Sequence, residues 1–104
     1  LERYCFELRI KPGMEEEYDR RHKEVWPELT SALKAAGIAN YSLFRRGLRV
    51  IGYAECYPDA MSAWRSVEVS EVDRRWQEWM EDVIESRLDD DGNPLVFQEL
   101  WHLD

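Results

Sequence analysis

The hydrophobic period of this chain changes abruptly at residues 11–13, and that switch limits the folds open to it. Residues 3–10 alternate: Tyr4, Phe6, Leu8 and Ile10 share one face, and Arg3, Cys5, Glu7 and Arg9 share the other. Period two over eight residues describes a half-buried strand. Pro12-Gly13 stops it. Glu15-Glu16-Glu17 then supplies the acidic first turn that a helix dipole favours. Tyr18, His22, Val25, Trp26, Leu29, Leu33 and Ala36 follow at helical spacing as far as Gly37, which suits a C-terminal cap. The spacing predicts a first helix over 14–36. Pro27 falls inside it, lacks a backbone donor and crowds the carbonyl four residues back. A kink or break is therefore expected near 23–27.

Residues 38–46 and 48–57 read as two strands joined around Arg46-Gly47. Pro58-Asp59 opens a short helical segment carrying Met61 and Trp64. Another helix begins at Ser70, with Asp73 placed as the far partner of a capping box. Val72, Trp76, Trp79, Met80 and Val83 make the cleanest amphipathic stripe in the chain. Asp89-Asp90-Asp91-Gly92-Asn93-Pro94 reads as a solvated loop, and a last strand is expected over about 95–103. The order β-α-β-β-α-β suits an α+β fold of the ferredoxin-like plan, an antiparallel sheet with helices on one face, as a single domain over 1–104. The other face is left uncovered. The last strand carries apolar groups on both sides, Leu95, Phe97, Trp101 and Leu103 against Val96 and Leu100, so a second copy is expected to cover that face as a homodimer.

Charge narrows the function. Acidic residues outnumber basic ones by 22 to 14, a net charge of −8, which argues against nucleic-acid binding and against a polybasic membrane surface. No apolar run approaches the roughly 18–20 residues of a membrane span. The N-terminus has no apolar signal-peptide stretch, and the absence of Met at position 1 predicts that a residue or more precedes Leu1. Cys5 and Cys56 have no metal-type spacing and read as small buried hydrophobes in a reducing cytoplasm. P-loop, dinucleotide, nucleophile-elbow and zinc-helix signatures are all missing, and no cofactor or metal is expected.

The chain has two histidines. His22 stands four residues after Tyr18 and four before Trp26, so the three side chains climb one helical face. Tyr18 offers a hydroxyl, Trp26 a flat wall, and the break at Pro27 makes room. An imidazole titrating near neutrality gives and takes protons unaided. His102 reads as structural, as do Trp79 and Met80, and the Arg20-Arg21 and Arg45-Arg46 pairs read as solvated. Tyr41, on the strand after the first helix, reads first as a half-buried strand aromatic, and Trp76, in the amphipathic stripe, reads still more as core; either could also wall a pocket. Aromatic faces with a few hydroxyl, amide and imidazole groups suit a sugar.

The run Glu17-Tyr18-Asp19-Arg20-Arg21-His22-Lys23-Glu24-Val25-Trp26-Pro27-Glu28-Leu29 resembles the signature of the L-rhamnose mutarotase family. The likeness continues through Gly37-Ile38-Ala39-Asn40-Tyr41-Ser42, Arg75-Trp76 with Met80, and Glu99-Leu100-Trp101-His102-Leu103. The resemblance implies a dimeric α/β-barrel of two ferredoxin-like subunits and metal-free interconversion of the anomers of L-rhamnose or a related 6-deoxyhexose. His22 matches the family's proton donor, implying a general acid at the ring oxygen; Tyr18, Tyr41 and Trp76 match its sugar-binding positions. Where the best-known members carry a second Trp, this chain has Gln77, an amide that donates and accepts and bears on which sugar is bound. Two other expectations compete: a small monooxygenase-like enzyme on the same barrel, and a non-catalytic sugar-binding dimer.

Overall fold

The computed structural model describes all 104 residues, Leu1–Asp104. Its elements are β1 (Glu2–Ile10), α1 (Glu15–His22), α2 (Pro27–Ala35), β2 (Ile38–Arg46), β3 (Arg49–Cys56), α3 (Ala60–Glu68), α4 (Glu71–Met80), β4 (Ile84–Ser86) and β5 (Val96–Phe97). The sheet runs β2-β3-β1-β4, all antiparallel, with β5 also on β1. This is the ferredoxin-like order.

The expected alternation of β1 holds over Leu8–Ile10, but Glu7 on the opposite face is buried as well, held by Arg9 and Arg49. Leu8 and Ile10 are buried with Val50, Val72, Met80 and Val83 in the larger of two core clusters. Ile38, Ala54, Cys56 and Val67 form the smaller one beneath α3. Cys5 and Cys56 are both free thiols.

Local chemistry sets the helix ends. Pro27 brings the break, rather than the kink, of the two outcomes expected near 23–27. The expected helix over 14–36 is two helices, α1 ending at His22 and α2 starting with Pro27 in its first turn, where the missing N–H costs nothing. Asp59 caps α3 by accepting from the Ser62 N–H at 2.8 Å. The Ser70 hydroxyl accepts from the Asp73 N–H at 3.3 Å, giving one half of the expected capping box. Gly37 follows α2 with φ +99°, and a Cβ there would lie 2.1 Å from the Tyr57 carbonyl oxygen.

The C-terminal third departs from expectation. Instead of a long strand over 95–103 there are two short ones, Ile84–Ser86 and Val96–Phe97, and residues 98–104 make no ladder pairs. Leu100, Trp101 and Leu103 are exposed, so the alternation there has no packing partner within the chain. Arg21 also departs from the solvated reading. It is 8% exposed, donates to the Trp79 carbonyl at 2.7 Å and to both Asp82 carboxylate oxygens, and lies 4.9 Å from the Trp79 ring centre. Three residues after Tyr18, it shares that buried helical face and ties α1 to the C-terminal end of α4.

Candidate active site

A cavity of about 350 Å³ opens between the helices and the sheet. That is within the ~300–1,000 Å³ usual for small-molecule sites. His22, Tyr18, Tyr41, Trp76 and Gln77, the five residues singled out from sequence, all line it. α1 delivers Tyr18 and His22 one turn apart, their rings stacked with centres 4.2 Å apart. α4 delivers Trp76, edge-on to His22 at 5.5 Å, and Gln77 beside it. Tyr41 arrives by a different device. The β2–β3 register shifts between Ala39 and Ser42, and Asn40 takes φ +47°, held by its Nδ2–H donating to Glu55 at 2.7 Å. Such a bulge re-aims the following side chain, here toward the cavity.

Trp26 is not the wall that its spacing suggested. It stacks on Trp79 at 5.4 Å and meets Trp76 edge-on at 5.1 Å, behind the cavity. With the helix broken at Pro27, Trp26 no longer climbs the face of His22. The missing wall is supplied by residues that sequence reasoning left out. Trp64 of α3 stands edge-on to Tyr41 at 5.5 Å and to Phe6 at 6.1 Å, and Tyr4 joins them. Phe6 reaches this place because Gly52 lies opposite it in the register. The period-two face of β1 was the available signal for Tyr4 and Phe6. Arg87, which also lines the cavity, follows a strand too short to be read from sequence.

A second concavity of about 840 Å³ between α2 and β2 shares His22, Tyr41, Leu43 and Trp76 but lacks Tyr18 and Gln77. Its other polar groups are Thr30, Lys34 and Asn40, whereas the first alone gathers Tyr18, Gln77 and Arg87 around His22.

The protonation states follow from the surroundings. His22 Nδ1 lies 2.9 Å from the Tyr18 carbonyl oxygen, which only accepts, so Nδ1 carries the proton and Nε2 is left without a partner. Burial holds the imidazole below its ordinary pKa of 6.5, against an opposing pull from that hydrogen bond. Burial likewise raises the Tyr18 and Tyr41 phenols, keeping both as neutral hydroxyls. His102 lies outside the cavity, paired with Asp104 at 2.9 Å. Nowhere do three His, Cys, Asp or Glu side chains gather to hold a metal ion, and no helix is long and apolar enough to cross a membrane.

Fold and site together define a small ferredoxin-like α+β protein whose aromatic cavity holds one imidazole suited to proton transfer. Among solved structures it is similar to the L-rhamnose mutarotase of Formosa agariphila, with a TM-score of 0.79 at 22% identity and 100% of both chains covered. It is similar also to tetracenomycin F2 cyclase of Streptomyces glaucescens, a type-II polyketide cyclase, at 0.70 and 16%, over 98% of this chain and 96% of that one. At these identities the likeness is one of fold. Sequence relatives say more. L-rhamnose mutarotases of Shigella flexneri serotype 5b and Escherichia coli O17:K52:H18 are each 32% identical over 101 residues, 97% of either chain. The family model for L-rhamnose mutarotase matches residues 3–103. The chain belongs to the L-rhamnose mutarotase family, isomerases acting on carbohydrates.

Proposed function

We propose that the chain interconverts the α and β anomers of L-rhamnose, or of a related 6-deoxyhexose, with His22 moving the proton. The observation that carries this reading is the state of His22: Nδ1–H is committed to the Tyr18 carbonyl and Nε2 is free in the cavity wall. With its pKa below 6.5 the ring is neutral at pH 7, so Nε2 first accepts.

Anomers exchange through the open-chain aldehyde. Nε2 takes the proton of the anomeric hydroxyl, the C1–O1 bond becomes a carbonyl, and the bond from C1 to the ring oxygen breaks. The imidazolium so formed then acts as general acid and protonates the departing ring oxygen. Both oxygens stand on one carbon, within reach of a single nitrogen. Rotation about C1–C2 and reclosure on the other carbonyl face reverse both transfers and regenerate neutral His22. The cycle balances without metal or cofactor. Tyr18 and Tyr41 orient the sugar by their hydroxyls, Trp76 packs on its apolar face, and Gln77 reads a hydroxyl at the mouth.

The rate above the uncatalysed background is expected to rise with pH to a plateau, with its midpoint below 6.5, because the neutral ring starts the cycle. A catalysed rate that falls as His22 loses its proton would make imidazolium the starting form and refute this order of transfers.

The reading includes a homodimer, a dimeric α/β-barrel in which each 104-residue domain covers the open sheet face of the other. Phe44 and Phe97 are 64% and 44% exposed on that face, and Trp101 in the unpaired tail is 78% exposed. Sedimentation equilibrium is expected to give twice the 12.5 kDa chain mass; a monomer at micromolar concentration contradicts the dimer. The setting is the cytoplasm, with a sugar as partner and neither nucleic acid nor membrane.

A further inference from the structure

We infer that Arg87 is a substrate-binding residue which, together with an Asp73-anchored Gln77 amide, forms a polar clamp on the sugar's hydroxyls. The inference rests on reading the cavity as a sugar site. Arg87 lies just past β4, exposed at the cavity mouth, and its side chain lines the cavity. Arg3, Arg9, Arg21, Arg45 and Arg49 each hold a carboxylate. Arg87 makes no hydrogen bond or ion pair within the chain. Burial works against its charge, and the Asp73 carboxylate, on an element that borders the cavity, is the group that most favours it. Its five N–H donors are therefore available there.

Gln77 supplies the complement. Its Nε2–H donates to the Asp73 carboxylate at 3.3 Å, and since a carboxylate only accepts, the amide is fixed with its oxygen turned away from Asp73. Asp73 is 8% exposed, and Gln77 is the one side chain that hydrogen-bonds its carboxylate. Donors on Arg87 and an acceptor on Gln77 match a pair of neighbouring hydroxyls, each of which donates and accepts. Asp73 beside the clamp and Glu68 in the cavity lining oppose an anionic group, so the ligand is a neutral polyol rather than a sugar phosphate or sugar acid. Where the family's best-known members place a second Trp, this chain reads hydroxyls instead.

The test is a titration of intrinsic tryptophan fluorescence with L-rhamnose, since Trp64 and Trp76 line the cavity. Arg87→Ala is expected to weaken binding about tenfold or more, the scale of a hydrogen bond to a charged group. Arg87→Lys, which keeps the charge but loses the planar fork, should fall between. Arg65→Ala removes the same charge from an exposed position on α3 and is expected to leave affinity unchanged. Equal affinities for Arg87→Ala and Arg65→Ala overturn the clamp. Wild-type protein that binds L-rhamnose without exchanging its anomers contradicts the mutarotase reading alone, because the clamp is read by binding. Protein that binds neither L-rhamnose nor another 6-deoxyhexose overturns both.

Discussion

His22→Ala is expected to lower kcat/KM for anomer exchange by ~10²–10⁴-fold, the range that a positioned proton-transfer group contributes. The fold should survive. His22 ends α1, is only half-buried, and makes one side-chain hydrogen bond, to a Tyr18 carbonyl already placed to take a helical partner. Its removal leaves no buried donor or acceptor without water or a neighbour. His22→Gln refines the experiment, since an amide hydrogen-bonds at similar reach but does not titrate. Affinity for the sugar should stay within a few-fold in Gln while the rate falls as in Ala, separating proton transfer from binding. Because mutarotation also proceeds unaided in water, the loss has to be read above that background. A folded Ala variant with wild-type exchange removes His22 from the mechanism.

Gly52→Val is expected to destabilise the chain by about 1–3 kcal/mol, the usual cost of overpacking, and to raise KM. Strand propensity alone predicts the opposite sign, because Val is favoured and Gly disfavoured in a strand. The geometry decides between them. Gly52 pairs with Phe6 across β1 and β3, and a Cβ at position 52 would stand 2.3 Å from the Phe6 ring. The ring must move, and its neighbours are Tyr41, Tyr4 and Trp64, the aromatic wall of the cavity. Phe6→Leu in the Val background should restore part of the loss, and a double-mutant cycle by urea denaturation should return a coupling of roughly 0.5–3 kcal/mol. Additive effects, or a more stable Val variant, would mean that Phe6 has room to spare.

Period two along β1, the hairpin at Gly47, the Ser70 cap and the break before Pro27 were all legible, because each is a local rule acting on neighbouring residues. So was the helical spacing that brings Tyr18 next to His22. What was not legible depends on partners distant in sequence. Ile84–Ser86 is three residues long, too short for any period, and exists as a strand because β1 is there to pair with it. The C-terminal alternation looked like a strand, yet residues 98–104 form no ladder within the chain. Arg21 looked solvated as half of a basic doublet, although its spacing from Tyr18 already placed it on the buried face. Helical spacing puts Trp26 on the face of His22 only if the helix continues without a break to Trp26, and α1 ends at His22. Trp64 and Arg87 join the site from α3 and from beyond β4, positions that only the folded sheet brings together.

The most direct test of the central claim is saturation-transfer proton NMR on L-rhamnose at anomeric equilibrium, with and without protein. Irradiating one anomeric proton should transfer saturation to the other when protein is present, at a rate proportional to its concentration, and His22→Ala should abolish the effect. Transfer that is no faster with protein than without it, on a sample shown to bind the sugar, would contradict the account.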